Sequence, residues 1–96
     1  MRPRRVRFTA SFNRSYRKLP VEVRHKVDEA VSAFIDRSHE NALRPERKSG
    51  LQGIWTFRVD RGVRVFYTQE QDADGLISEL FHVGRYNDYR TITRRR

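Results

Sequence analysis

The chain has 96 residues and a formal net charge of +9, from 21 Lys and Arg against 12 Asp and Glu, and 18 of those 21 cations are Arg. That length supports one domain around a single modest core, and the absence of cysteine excludes a disulfide framework, a thiol nucleophile and a thiolate metal site. His25, His39 and His82 are too scattered for a metal site, and no apolar run approaches the roughly 20 residues of a spanning helix, so no metal, small-molecule cofactor or membrane partner is expected.

The opening MRPRRVRF is basic but lacks the apolar stretch of a secretory signal, which leads us to expect a cytoplasmic protein. Within it Val6 and Phe8 alternate with Arg5 and Arg7 as a short strand, and Thr9 or Ser11 can cap a helix directly after it. Phe12, Tyr16 and Leu19 then recur at helical spacing, and this short helix ends at Leu19-Pro20 because the residue before proline is pushed out of the α region. A second helix is predicted from about Val21 to Arg37, with Val23, Val27, Ala30, Val31 and Phe34 on one face and His25 on the polar side. From Ser38 to Gly50, SHENALRPERKSG, periodicity is lost and a loop is predicted. Its Glu46, flanked by Arg47 and Lys48, is a candidate carboxylate base, although a lone Glu in a basic loop is more often a solvated charge. Gly50-Leu51-Gln52-Gly53 is no phosphate loop, since it lacks the downstream Gly-Lys-Ser/Thr.

Ile54 to Tyr67, IWTFRVDRGVRVFY, alternates in polarity on both sides of Asp60-Arg61-Gly62, the pattern of an antiparallel hairpin with Gly62 in the left-handed position. If Val59 pairs with Val63, Phe57 meets Val65 and Trp55 meets Tyr67 on a core face, while Arg58 meets Arg64 on the other. Opposed like charges destabilise a sheet. A phosphate between them reverses the sign, because guanidinium is a permanently charged bidentate fork. Taken alone, two arginines splayed into solvent describe these residues equally well. The Arg-rich composition makes nucleic acid the first partner to consider, and an acidic protein masking the basic face is equally compatible with it.

A compact turn at Asp72-Ala73-Asp74-Gly75 leads into a last strand from Leu76 to Val83. With Glu70 opposite Leu76, Phe81 falls beside Val65 in the core and His82 beside Arg64 on the basic face. Beyond it, Gly84-Arg85-Tyr86-Asn87-Asp88-Tyr89-Arg90 interleaves guanidiniums with phenols, the mixture by which single-stranded RNA is stacked and neutralised. A single domain is expected over 1–93, with Arg94, Arg95 and Arg96 as a basic tail.

Three stretches carry a family resemblance: Leu51-Gln52-Gly53-Ile54-Trp55, the Arg58 and Arg64 pair with Val65-Phe66-Tyr67 following, and His82-Val83-Gly84-Arg85 leading to Asn87-Asp88-Tyr89. In this order, and over nearly the whole chain, they resemble the RelE/ParE superfamily of bacterial toxin proteins. The resemblance implies an α+β fold, an antiparallel sheet of about four strands with an N-terminal two-helix hairpin packed on one face and a basic concave site on the other. It further implies the toxin component of a type II toxin–antitoxin system, held inactive by a cognate antitoxin. RelE-like members are ribosome-dependent endoribonucleases that cut mRNA in the decoding site through a 2′,3′-cyclic phosphate, without a metal or cofactor.

On that resemblance Arg64 matches the family's phosphate-binding strand arginine and Arg58 a basic position one strand earlier. Arg85 falls where a basic residue assists the leaving group, and Tyr89, or Tyr86, matches an aromatic that stacks or orients the substrate. Arg61, Asn87 and Arg90 complete the expected RNA-binding set. Two positions depart from the pattern: Asn87 stands where related toxins often carry His, and cannot take a proton at neutral pH, and Thr56 stands where some carry a basic residue. Proton transfer then falls to Glu46, Tyr86 or Tyr89, or cleavage is absent. ParE-like members share the fold, lack the nuclease residues and act by binding DNA gyrase, which is the alternative reading. A third is a homologue that binds RNA without cutting it. The retained Arg58, Arg64 and Arg85 favour RNA.

Overall fold

The computed structural model describes residues 2–47 and 53–85. The Arg-Val-Arg-Phe alternation forms β1 (Arg5–Phe8), and the Thr9 hydroxyl caps α1 (Ala10–Arg17) by accepting from the Phe12 N–H at 3.1 Å. Pro20 closes the connection, and α2 (Val21–Asp36) comes at once, burying Val27, Ala30 and Phe34. It stops at Arg37, whose left-handed φ of 59° turns the chain out of the helix.

The expected featureless loop after α2 instead contains a single helical turn, α3 (Glu40–Leu43), and a two-residue edge strand, β2 (Glu46–Arg47). Tertiary contacts create both. The Arg4 guanidinium lies 4.3 Å over the Phe34 ring and donates to the Phe34 carbonyl at 2.8 Å and to Glu40 Oε1 at 2.6 Å. It thereby clips the chain start and α3 to the end of α2, and Leu43 is buried beneath the turn.

The sheet has five strands in the order β1-β5-β4-β3-β2, with β3 (Trp55–Arg58), β4 (Val63–Asp72) and β5 (Gly75–Arg85) forming its centre. It is mixed, where about four antiparallel strands are expected. β1 runs parallel to β5, with Val6 beside Ser78 and Phe8 beside Leu80. The helical hairpin carries the chain from β1 to the rest of the sheet, and an alternating tetrapeptide does not encode the direction in which it pairs. Beyond Phe8 the edge of β5 passes to α1: Ser11 Oγ donates to the Phe81 carbonyl at 2.6 Å, and Ser15 Oγ accepts from the Val83 N–H at 3.0 Å.

The helices cover one sheet face. Phe34 stacks on Phe57 with centroids 4.3 Å apart and meets Tyr67 edge-on at 4.9 Å, among Val27, Val65, Leu80 and Val83. Phe57, Val65 and Tyr67 are the alternate positions of the hairpin, so the period-2 pattern delivers them to this side together. Burial pushes the Tyr67 phenol up to about 12, which removes it from any proton transfer on the opposite face.

Candidate functional site

The β3–β4 register agrees with the hairpin arithmetic at every pair: Trp55 with Tyr67, Phe57 with Val65, and Arg58 with Arg64. The two guanidinium residues therefore stand directly opposite each other on the face away from the helices. The turn between them is fixed differently from expectation. Gly62 does not adopt a positive φ, and among the described residues Gly53 and Gly75 are the glycines that do. Asp60 Oδ1 instead accepts from the N–H groups of Gly62 at 3.0 Å and Val63 at 2.9 Å, an Asx turn that does the work assigned to the glycine. Burial acts to raise the Asp60 carboxyl, but these N–H groups and Lys26, at 3.6 Å, outweigh it and hold the group below the usual carboxylate range.

The same loop braces one arginine. Arg64 Nη1 donates to the carbonyls of Asp60 at 2.8 Å and Val63 at 3.2 Å, so its guanidinium is held in place before any ligand arrives. Arg58 forms no ion pair among the described residues, and Arg61 is exposed in the turn. Other cations are matched: Arg4 with Glu40, Arg5 with Asp72 at 2.7 Å, and Arg7 with Glu70 and Glu79 at 3.3 Å. Positive charge is thus compensated along β1 and left standing at Arg58.

The β4–β5 register departs from expectation. Asp72 pairs with Gly75 across a two-residue turn, so Glu70 meets Ile77 where Leu76 is expected, and a bulge between Phe66 and Tyr67 shifts the upper half again. Phe81 is the extra residue, and it packs with Ile54 and Phe66 in a second, smaller apolar cluster on the arginine face, separate from the core under the helices. His82 consequently faces Phe66, with ring centroids 5.5 Å apart, and Gly84 faces Arg64.

Two cross-strand rows result. One runs Glu46, Thr56, Phe66, His82 over β2, β3, β4 and β5, and the next runs Arg58, Arg64, Gly84. Glu46, placed in a loop by sequence, thus sits on the edge strand in the row beside the arginines. Thr56 is fully buried in that row, and its hydroxyl has no hydrogen-bond partner among the described residues. It cannot replace a cation that reaches a phosphate. His82 stands on the basic face, as expected, although sequence reasoning gives it no role in the site. Its partner is Phe66 and not Arg64, because the closing pair of the turn and the bulge at Phe81 both shift the register.

Arg85 is not beside Arg64. It pairs with Val63, on the helix side, and lines a cleft of about 570 Å³ with Arg14 and Lys18. Tyr86, Asn87, Tyr89 and Arg90 lie outside the described residues, as does the 94–96 tail. Among the described residues no group of His, Asp or Glu is placed to hold a metal ion, and no helix is long and apolar enough to cross a membrane.

No family model matches the sequence, and no curated protein matches it. Solved structures do. A chain of the toxin–antitoxin complex RelBE2 from Mycobacterium tuberculosis is similar at 28% identity over 88% of this chain and 93% of that one, with a TM-score of 0.64. YafQ from Escherichia coli aligns at 12% identity, 85% and 92% coverage and a TM-score of 0.62. A mutant of the E. coli toxin RelE in its free state aligns at 15% identity, 95% and 92% coverage and a TM-score of 0.61. The last two share the fold alone, while the first also shares more than a quarter of the aligned residues. With the hairpin motif in the register that its spacing requires, the chain has the fold of the RelE/ParE toxin superfamily, and its likeness to the RelBE2 chain supports a place in that superfamily.

Proposed function

We propose that this protein is the toxin of a toxin–antitoxin pair and a metal-independent, ribosome-dependent endoribonuclease acting on mRNA in the cytoplasm. Its partners are a cognate antitoxin and the ribosome carrying mRNA in the decoding site. The similar structure at 28% identity is a toxin–antitoxin complex, which supports the first partner. The observation that carries the catalytic reading is the direct opposition of Arg58 and Arg64, both half-buried, on the face away from the helices. A phosphodiester between them relieves their repulsion, and the bipyramidal phosphorane, with more charge on its non-bridging oxygens, relieves it further. That is catalysis by fixed donors aimed at developing charge.

Glu46 and His82 supply the proton steps. They end one row, three strand spacings of about 4.8 Å apart, or roughly 14 Å between backbones. In-line displacement places base and acid on opposite sides of phosphorus. Glu46 takes the proton of the ribose 2′-OH as the 2′-oxygen bonds to phosphorus, and His82 gives a proton to the 5′-oxygen as its bond to phosphorus breaks. The products are a 2′,3′-cyclic phosphate and a 5′-OH. In this reading His82 does what Asn87 cannot. Tyr86 and Tyr89 stack the flanking bases.

Primer extension on translated mRNA tests the proposal. Codon-dependent cuts that vanish in Arg64→Ala are expected. Uncut mRNA alongside linearised plasmid trapped with DNA gyrase would establish the ParE-like activity instead.

A further inference from the structure

The register that takes Arg85 away from Arg64 also brings it to a second cationic place. Between α1 and the end of β5 lies a cleft of about 570 Å³. Leu19, Val23 and Val63 form an apolar floor, and Arg14, Lys18 and Arg85 stand at its rim, all three exposed. Arg14 and Lys18 form no ion pair among the described residues, unlike Arg4, Arg5 and Arg7. The walls are firm, because Ser11 and Ser15 of α1 are hydrogen-bonded to the β5 backbone at Phe81 and Val83. His82 and Gly84 line the cleft as well as facing Phe66 and Arg64, so the cleft and the arginine rows share this stretch of β5.

We propose that this cleft is a second nucleotide site, which holds a nucleotide flanking the one at Arg58 and Arg64. The floor accepts a base or ribose, and the rim neutralises its phosphate. A cationic groove that tracks the backbone is one part of the arrangement that binds single strands without reading sequence, and here the aliphatic floor supplies apolar contact where other such sites use aromatic rings. Continuity with the arginine rows favours the same RNA strand over an acidic peptide. The inference rests on RNA being the ligand of those rows.

The test is fluorescence anisotropy with a 2′-O-methylated single-stranded RNA of about a dozen nucleotides, over a potassium chloride series. Each phosphate contact on a single strand adds about 0.7 to the slope of log affinity against log salt. In Arg14→Ala/Lys18→Ala the slope is expected to fall by about 0.7 to 1.4 and affinity to drop for every RNA sequence. Arg17→Ala is the control, since it removes charge from the same helix end without lining the cleft, and its slope is expected to match wild type. An unchanged slope in the double variant, or an equal fall in Arg17→Ala, overturns the cleft assignment while the Arg58 and Arg64 rows stand. Loss of antitoxin binding with RNA binding intact gives the cleft to a protein partner and also overturns it. A wild-type protein that binds no RNA overturns this inference and the RNA reading together.

Discussion

Replacing Arg58 and Arg64 separately by Met should move stability in opposite directions while removing the same activity. Met keeps most of the aliphatic stem, so the comparison isolates the guanidinium. Two unit charges about 6 Å apart repel by about 0.7 kcal/mol at the dielectric of water, and by several times that near a protein surface. Both residues are half-buried, and after solvent screening Arg58→Met is expected to stabilise the free protein by about 0.5 kcal/mol, roughly 2–4 °C in Tm. Arg64→Met gains the same relief but loses the Nη1 bond to the Asp60 carbonyl at 2.8 Å. A hydrogen bond from a charged donor contributes about 1.5–3 kcal/mol, so this variant should lose about 1 kcal/mol or more. Cleavage should fall by about 10²–10³ in each, the usual effect of removing one preorganised donor. Thermal denaturation at low salt and at 1 M salt, where the screening length falls to about 3 Å, separates the two causes: the gain in Arg58→Met should vanish and the loss in Arg64→Met should persist. A drop of several degrees in Arg58→Met, or unaltered cleavage in either variant, would refute the electrostatic account.

Phe34→Ala removes the ring between Phe57 and the Arg4 guanidinium and should cost about 3–5 kcal/mol, measured by urea unfolding. The Asp72 carboxyl, pushed down to about 2 chiefly by the Arg5 hydrogen bond, should show that midpoint by carbon-detected NMR and return toward the ordinary carboxylate range in Arg5→Gln. Because its pKa is depressed in the folded protein, the stability from this pair is present above the ordinary carboxylate range and lost as pH falls toward 2. His82→Gln should lower kcat more than KM, because a proton donor to the leaving oxygen acts in the transition state and not in substrate binding. An unaltered kcat would take the acid role away from His82.

The hairpin was legible because two constraints coincide there. Alternation from Trp55 to Arg58 and from Val63 to Tyr67 assigns faces, and the loop between them is too short to permit a slip, so the Arg58–Arg64 pairing is determined. The next hairpin obeys only the first constraint. Its loop is one residue shorter than the expected pairing of Glu70 with Leu76 requires, since β4 runs on to Asp72, and the bulge at Phe81 reverses the faces above it. Arg85 and His82 consequently exchange sides relative to a regular register. α3 and β2 were illegible for another reason. They depend on Arg4, 36 residues upstream of Glu40, and on pairing with Trp55 and Thr56, contacts that no local periodicity can report.

The five-strand sheet assigns alternate residues of one strand pair to incompatible environments, and that division lets a small domain carry a strained surface. Phe57 and Val65 lie in the best-packed part of the core, against Phe34, while Arg58 and Arg64 are their immediate chain neighbours. A repulsion of about 0.5 kcal/mol is small against the burial of those apolar residues, each contributing about 1.5–3 kcal/mol. The core can therefore hold the two guanidiniums on adjacent strands in spite of their repulsion. Had the same charges been placed on β1, the carboxylates that meet Arg5 and Arg7 would have neutralised them. In the proposed function it is the location of the opposed arginines, and not the net charge of +9, that suits this face to a phosphodiester.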